Sequence, residues 1–117
     1  MIIETTFNKL YSFDEKGVRK EHRPISTKFN HFQILSNGYI LVIEEQFNYF
    51  NDGKSNLYCL NKNLEIQWFL PFRLKNCNDF YVGFSPDSEK VFANTWDCFR
   101  VEIDTEKGEI LNTEFTK

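Results

Sequence analysis

Leu57-Tyr58-Cys59-Leu60-Asn61 is the second appearance of a pattern first met at Leu10-Tyr11-Ser12-Phe13-Asp14, and a looser third stands at Arg100-Val101-Glu102-Ile103-Asp104. Each copy is a short apolar segment closed by Asn or Asp, then a polar turn and a second short apolar segment. The first two copies lie 47 residues apart, Leu10 to Leu57, and the next step, Leu60 to Ile103, is 43. A period of about 40 to 50 residues marks stacked β-sheet units, each of which leaves an apolar face that only a neighbour can bury.

The match extends outward from these segments. Pro24 and Pro71 keep the spacing of 47 residues, each where a strand ends and a missing N–H costs least. Phe32-Gln33-Ile34 matches Phe80-Tyr81-Val82, and both lead to a serine and a turn, Ser36-Asn37-Gly38 and Ser85-Pro86-Asp87. Turn signals recur at Asp14-Glu15-Lys16-Gly17, Asn51-Asp52-Gly53, Asn61-Lys62-Asn63 and Glu106-Lys107-Gly108, supplying the positive φ angles of tight hairpins. Strands are predicted over 32–35, 39–47, 57–60, 65–70, 80–84, 91–95, 99–103 and 109–115, with 2–7 corresponding to 91–96. No segment keeps a helical apolar stripe. The expected fold is one all-β domain, residues 1–117, an antiparallel meander of about 11 short strands. It divides into units of about 1–27, 28–78 and 79–117, the first lacking its first strand.

Val82-Gly83-Phe84-Ser85-Pro86-Asp87, Lys90-Val91-Phe92-Ala93 and the run from Val101 to Ile110 together resemble one blade of the WD-repeat and related β-propeller families. No Gly-His dipeptide precedes a unit, Ser88 stands where glycine is usual, and Ile103-Asp104 stands in place of Trp-Asp. Trp96-Asp97 falls at a turn and is a coincidence of letters. The resemblance implies blade-like sheets and a binding platform, and it transfers no catalytic residue. A closed propeller takes about four to eight blades, so three units leave open faces. Either two chains join into a ring, or the meander curls into a sandwich or partly open barrel. The missing strand also leaves an edge near Ile2 for strand addition.

Composition fits a globular chain, with 41% hydrophobic and 26% charged residues. The 13 phenylalanines rise together with Asn, Lys and Ile, as AT-rich codon usage would make them. Net charge is −3, unevenly spread: residues 1–78 carry ten Lys or Arg and eight Asp or Glu, residues 79–117 four and nine. The acidic third unit repels nucleic acid and would steer a basic protein. Lys16, Arg19, Lys20 and Arg23 are interleaved with Glu15 and Glu21, a solvated face. Cys59, Cys77 and Cys98 form no C-x-x-C, and Cys59 and Cys98 read as small apolar fillers in a reducing compartment. With no secretion-type N-terminus and no apolar run near the roughly 20 residues of a membrane span, the expected location is cytoplasmic, with no membrane partner.

Chemistry is hard to find. His22 and His31 lack close metal-ligand spacing. Cys77 paired with His31 lacks an activating turn. Glu44 and Glu45, as consecutive strand residues, point to opposite faces. Asp87 and Glu89 lie on a turn, and the five glycines are isolated. The expectation is no enzyme, no cofactor and no metal. Binding signals are better. Phe47-Asn48-Tyr49-Phe50-Asn51-Asp52-Gly53 forms a long hairpin tip; Phe47 is expected to extend the core, while Tyr49 and Phe50, with Trp96, are expected to anchor a partner. Asp97, Glu102, Asp104 and Glu106 would supply charge toward a basic protein such as a toxin nuclease. Bacterial toxin-immunity proteins are similar in general character. A half-propeller scaffold that homodimerises and binds a ligand or protein is the alternative, and a propeller-type hydrolase the third reading.

Overall fold

Apolar residues that alternate along a strand fill one face of a sheet, but residues 40–43 and 57–60 leave no polar position between them, so those strands must be covered on both sides. The structure, a computed structural model describing residues 2–4, 8–74, 78–87 and 89–116, meets that demand with three antiparallel sheets in layers. Sheet I holds β1 (Ile2–Glu4), β2 (Lys9–Phe13) and β3 (Arg19–His22). Sheet II holds β4 (Phe29–Ile34), β5 (Ile40–Glu44), β6 (Leu57–Leu60) and β7 (Ile66–Phe69). Sheet III holds β8 (Tyr81–Ser85), β9 (Phe92–Thr95), β10 (Phe99–Asp104) and β11 (Glu109–Phe115). Each is a meander in chain order, and no described residue is helical. The fold is all-β, with eleven strands among the described residues, in three separate sheets. The expected strand at 39–47 stops early, at Glu44. Of the expected 2–7, β1 covers Ile2–Glu4 and 5–7 lie outside the described residues.

Sheet II is the filling between two cores. Leu41, Ile43, Leu57 and Cys59 face Tyr81, Ala93, Val101 and Ile103 of sheet III. The alternate residues Ile40, Val42, Tyr58 and Leu60 face the other way and pack with Leu10 of sheet I. A one-residue register slip would exchange the two cores, so the pairing of Val42 with Tyr58 is strongly specified. The outward face of sheet III is polar, with Arg100 paired to Glu114 at 2.9 Å and stacked 4.6 Å from the Phe92 ring. On sheet I, Leu10 and Ser12 point inward, Ser12 Oγ donating to Lys62 O at 3.1 Å, which leaves Tyr11 and Phe13 outward.

Sheets I and II are joined by a buried carboxylate. Glu44, fully buried at the end of β5, accepts hydrogen bonds from the backbone N–H groups of Ile25 (2.8 Å), Ser26 (3.0 Å) and Thr27 (3.1 Å) and from the Tyr58 hydroxyl (2.5 Å). All four partners are donors, a set that suits a carboxylate. Tyr58 spends its only proton on Glu44, so the contact of its oxygen with His22 Nε2 at 2.8 Å requires His22 to donate from that nitrogen. Burial and the charge of Glu44 hold the Tyr58 proton far above the ordinary tyrosine range.

Burial lowers the His22 pKa below its ordinary 6.5, and the charge of Glu44 only partly offsets this. A depressed folded-state pKa stabilises the fold above 6.5 and loses that contribution as pH falls through the folded value. Urea unfolding at a series of pH values should therefore show a steeper loss below 6.5 for the wild type than for His22→Gln, which keeps an N–H donor but does not titrate. Equal slopes would remove His22 as the source.

Gly108 provides a second test. Its φ is +69°, and an added Cβ would lie 2.4 Å from ring atoms of Trp68, so the β10–β11 turn lies flat on that indole. Gly17 has φ +78° with open space around it. Gly108→Ala should cost about 2 to 4 kcal/mol, conformation plus overpacking, and Gly17→Ala about 1 kcal/mol. Equal losses in thermal unfolding would sink the packing argument.

Candidate functional site

In a meander, successive turns alternate between two ends, and here the ends are built differently. The β2–β3, β4–β5, β6–β7, β8–β9 and β10–β11 turns share one end, where residues 13–16 meet 62–63 and residues 33–37 meet 87, 89–91 and 105–106. Each is tied by a side-chain oxygen. Asp14, Asn37, Asn61, Asp87 and Asp104 accept from the N–H two residues on, at 2.8 to 3.0 Å. The opposite end carries the longer connections 23–28, 45–56 and 70–80, with the β9–β10 turn. Loops held on a rigid scaffold are where binding residues concentrate.

The connection 45–56 is held in place from within. Asn48 takes a left-handed φ of 64°, which breaks strand alternation between Phe47 and Tyr49. Tyr49 turns inward, only 7% exposed, its ring edge-on to Phe80 at 6.0 Å and its hydroxyl donating to Ser55 O at 2.9 Å. Burial pushes that hydroxyl's pKa up to about 12. Phe50 N–H donates to Ser26 Oγ at 2.8 Å. The Asn56 amide acts as a strand would: Nδ2 donates to Glu44 O and Tyr81 O at 2.6 and 2.8 Å, and Oδ1 accepts from Tyr81 N–H at 3.0 Å.

Three rings remain in water on this frame. Phe47, Phe50 and Trp96 are 63%, 77% and 62% exposed. Phe47 and Trp96 come from different sheets and meet edge to face, with centroids 6.2 Å apart. With Gln46, Asn48, Asn78 and Phe80 they line a cleft of about 310 Å³. Beneath it Asp79, buried, accepts from Arg73 Nε and from the Asp97 N–H, both at 3.0 Å. The Arg73 guanidinium lies 3.7 Å from the Phe99 ring centre, and Phe80 O accepts from Trp96 N–H at 2.9 Å. One buried ion pair thus ties Arg73 and Asp79 to the turn that carries Trp96.

The structure brings Phe50 and Trp96 to this end, with Asp97 exposed beside Trp96. Tyr49 belongs to the core instead, and Phe47, expected in the core, is a surface ring; the left-handed Asn48 accounts for both. Glu102 sits partway along β10, 4.0 Å from Lys90. Asp104 holds the N–H groups of Glu106 and Lys107 at 3.0 and 3.1 Å, and Glu106 is exposed at the tight-turn end. β10 covers roughly 17 Å from Phe99 to Asp104, so those three acids do not join the aromatic group. Glu44, Arg73, Asp79 and Asn56, which shape the surface from below, carry no sequence signal beyond being polar residues near apolar runs.

His31 is exposed beside Gly83, and Cys77 lies outside the described residues. Cys59 is buried, its thiol pushed up to about 11, whereas Cys98, expected as an apolar filler, is exposed on its turn at φ 68°. Among the described residues no three His, Cys, Asp or Glu side chains gather as metal ligands, and no helix is long and apolar enough to cross a membrane. The chain matches no protein-family model, no curated protein and no solved structure.

Asp79→Ala should leave the Arg73 guanidinium buried without its partner and cost about 3 kcal/mol or more in urea unfolding. It should also free the Trp96 turn, seen as a drop in tryptophan fluorescence anisotropy under native conditions. Stability lost with Trp96 unmoved would mean that the pair does not hold the surface.

Proposed function

We propose that this chain is a non-enzymatic protein-binding module, an inhibitor of the immunity type that covers a basic partner such as a toxin nuclease. The observation that carries the reading is the gathering of Phe47, Phe50 and Trp96 in water on a pre-ordered frame. Exposed aromatic rings dominate interface energetics, and a surface ordered before encounter loses less entropy on binding. The acids act at a distance: Glu102, Asp104 and Glu106 contribute field that raises the association rate, and only Asp97 touches the rim. Free thiols at Cys59 and Cys98 suit the cytoplasm. The alternative, two copies of a partial propeller closing into a ring, would desolvate the Arg100–Glu114 and Lys90–Glu102 pairs on the outward face of sheet III. A polar outer face is what a terminal unit in a stack needs for solubility.

The test begins with affinity capture from the source cells and remeasurement with the purified partner. Phe47→Ala and Trp96→Ala should each weaken binding by about tenfold or more, while Phe13→Ala, on sheet I, should not. Charge reversal at Glu102 and Glu106 should slow association at low salt and leave dissociation unchanged. Wild-type affinity in Trp96→Ala would end this reading of the surface.

A further inference from the structure

We infer that a second copy of this chain pairs with β11, edge to edge and antiparallel about a two-fold axis at Thr113, so that the four-stranded sheet III of each copy continues into that of the other. The contact uses none of Phe47, Phe50 and Trp96 and so stands apart from the protein-binding reading.

β11 is the last strand of sheet III, and among the described residues no strand lies beyond it. Every residue from Leu111 to Thr116 is exposed, Leu111 by 56% and Phe115 by 57%, so both faces of the strand meet water as well as its edge. Thr116 N–H donates to Cys98 O at 2.9 Å, and Phe115, Glu114 and Thr113 lie opposite Phe99, Arg100 and Val101. Antiparallel alternation then fixes where each backbone points. Asn112, Glu114 and Thr116 bond inward to β10, whereas Thr113 and Phe115 turn their N–H and C=O groups to the free edge. The Thr113 N–H is met by the side chain beside it, donating to Asn112 Oδ1 at 2.9 Å.

Exposed edges are ordinarily blunted by lysine, proline or other charge. β3, at an edge of sheet I, is blunted in this way, reading Arg19-Lys20-Glu21-His22. From Glu109 to Thr116 there is no Lys, Arg or Pro, and only the bulge at Leu111 interrupts the ladder.

What selects a second copy is the match of this strand to itself. Two such strands can hydrogen-bond only in registers that set outward-turned residues opposite one another, which are those centred on a residue rather than between two. With the axis at Thr113, that residue meets its own copy through a reciprocal pair of N–H···O bonds, Leu111 meets Phe115, and Asn112 meets Glu114. Apolar side chains oppose apolar ones, and an amide opposes a carboxylate that Arg100 already holds at 2.9 Å. Moving the axis to Glu114 sets two carboxylates against each other, and moving it to Asn112 sets Ile110 against Glu114 and Glu109 against Phe115, both unfavourable. In the Thr113 register the carbonyl of the second copy replaces Asn112 Oδ1 at the Thr113 N–H and frees that amide for Glu114.

Edge pairing leaves the Arg100–Glu114 pair on an open sheet face, which a ring of stacked units does not. Because the paired strands run in opposite directions, the loop end of one copy lies beside the tight-turn end of the other, and the two sets of exposed rings point opposite ways. One strand from each copy buries an area at or below the roughly 1,200 Å² of stable interfaces, so the dimer exchanges with monomer.

Sedimentation velocity of the intact chain supplies the test. The wild type should sediment as a monomer at about 1 μM and mainly as a dimer at about 300 μM. Thr113→Pro removes an outward N–H and spares the β10 ladder, while Leu111→Lys and Phe115→Glu each set a charge against an apolar side chain. Each variant alone should weaken association by about tenfold or more, with a cooperative urea transition showing that the fold is kept. Mixing Leu111→Lys with Phe115→Glu should restore the dimer, because the mixed pair sets lysine against glutamate on one side of the axis and keeps Leu111 against Phe115 on the other. A wild type still monomeric at about 300 μM, a dimer that Thr113→Pro and Leu111→Lys leave intact, or a mixture no tighter than its components would each overturn the proposal. Trp96→Ala should dimerise like the wild type, and a monomeric Trp96→Ala would move the contact to the loop end and overturn it as well.

Discussion

A buried carboxylate is the constraint from which the rest of the arrangement follows. Glu44 sits at the last position of β5, on the face that packs toward sheet I, where a charge without partners would be intolerable. The chain solves this by wrapping the 23–28 connection around it, three consecutive N–H groups from Ile25 to Thr27 meeting the two carboxylate oxygens. Tyr58 and His22 complete the set, so one side chain binds β3, β5, β6 and the link between sheets I and II. An apolar residue there would leave those three N–H groups without acceptors. The polar cluster therefore specifies which connection lies against which strand, beyond what hydrophobic contact alone could fix.

The same device recurs across the second junction with different chemistry. Asn56 bonds to both backbone groups of Tyr81, and Asp79 accepts from Arg73 and from the backbone of Asp97. Every one of these groups lies at the loop end. At the tight-turn end the Asx turns satisfy themselves locally and the connections are short, with Ser12 Oγ on Lys62 O and Gly108 against Trp68 as contacts between sheets. The turns at one end are thus held mainly by local hydrogen bonds and the connections at the other mainly by long-range ones, and it is at the latter that Phe47, Phe50 and Trp96 are exposed together.

Much of the fold was legible because turns and alternation are local. Asn37-Gly38 and Asp14 to Gly17 announce hairpins, and the repeat announces sheets whose apolar faces only a neighbour can bury, although not that the middle sheet is covered on both sides. The extent of β5 was not legible: 39–47 reads as one long strand because nothing in Glu44-Glu45-Gln46 marks where a buried carboxylate will end the ladder. For the same reason Phe47 and Tyr49 appear to share a face, although Asn48 in the left-handed region places one in water and the other in the core. Trp96 and Phe50 could be found as aromatics beside turn signals. Asp79, Arg73 and Asn56 could not, since their roles depend on partners that the sequence does not place.

Separation of charge from aromatic surface has a physical consequence of its own. Field from Glu102, Asp104 and Glu106 fades over a Debye length of about 8 Å at physiological salt, so at the loop end it is felt chiefly at low salt, while the rings there act only on contact. Were the acids at the rim, each would require a matched cation to offset its desolvation, and the surface would bind tightly only to partners with that charge pattern. Placed along β10 and at the far turn, they would, on the protein-binding reading proposed above, bias encounter at low salt without constraining the contact. On that reading the aromatic surface would discriminate by shape, a term that salt leaves largely intact, so affinity and encounter rate could be changed by separate substitutions in one small stack of sheets.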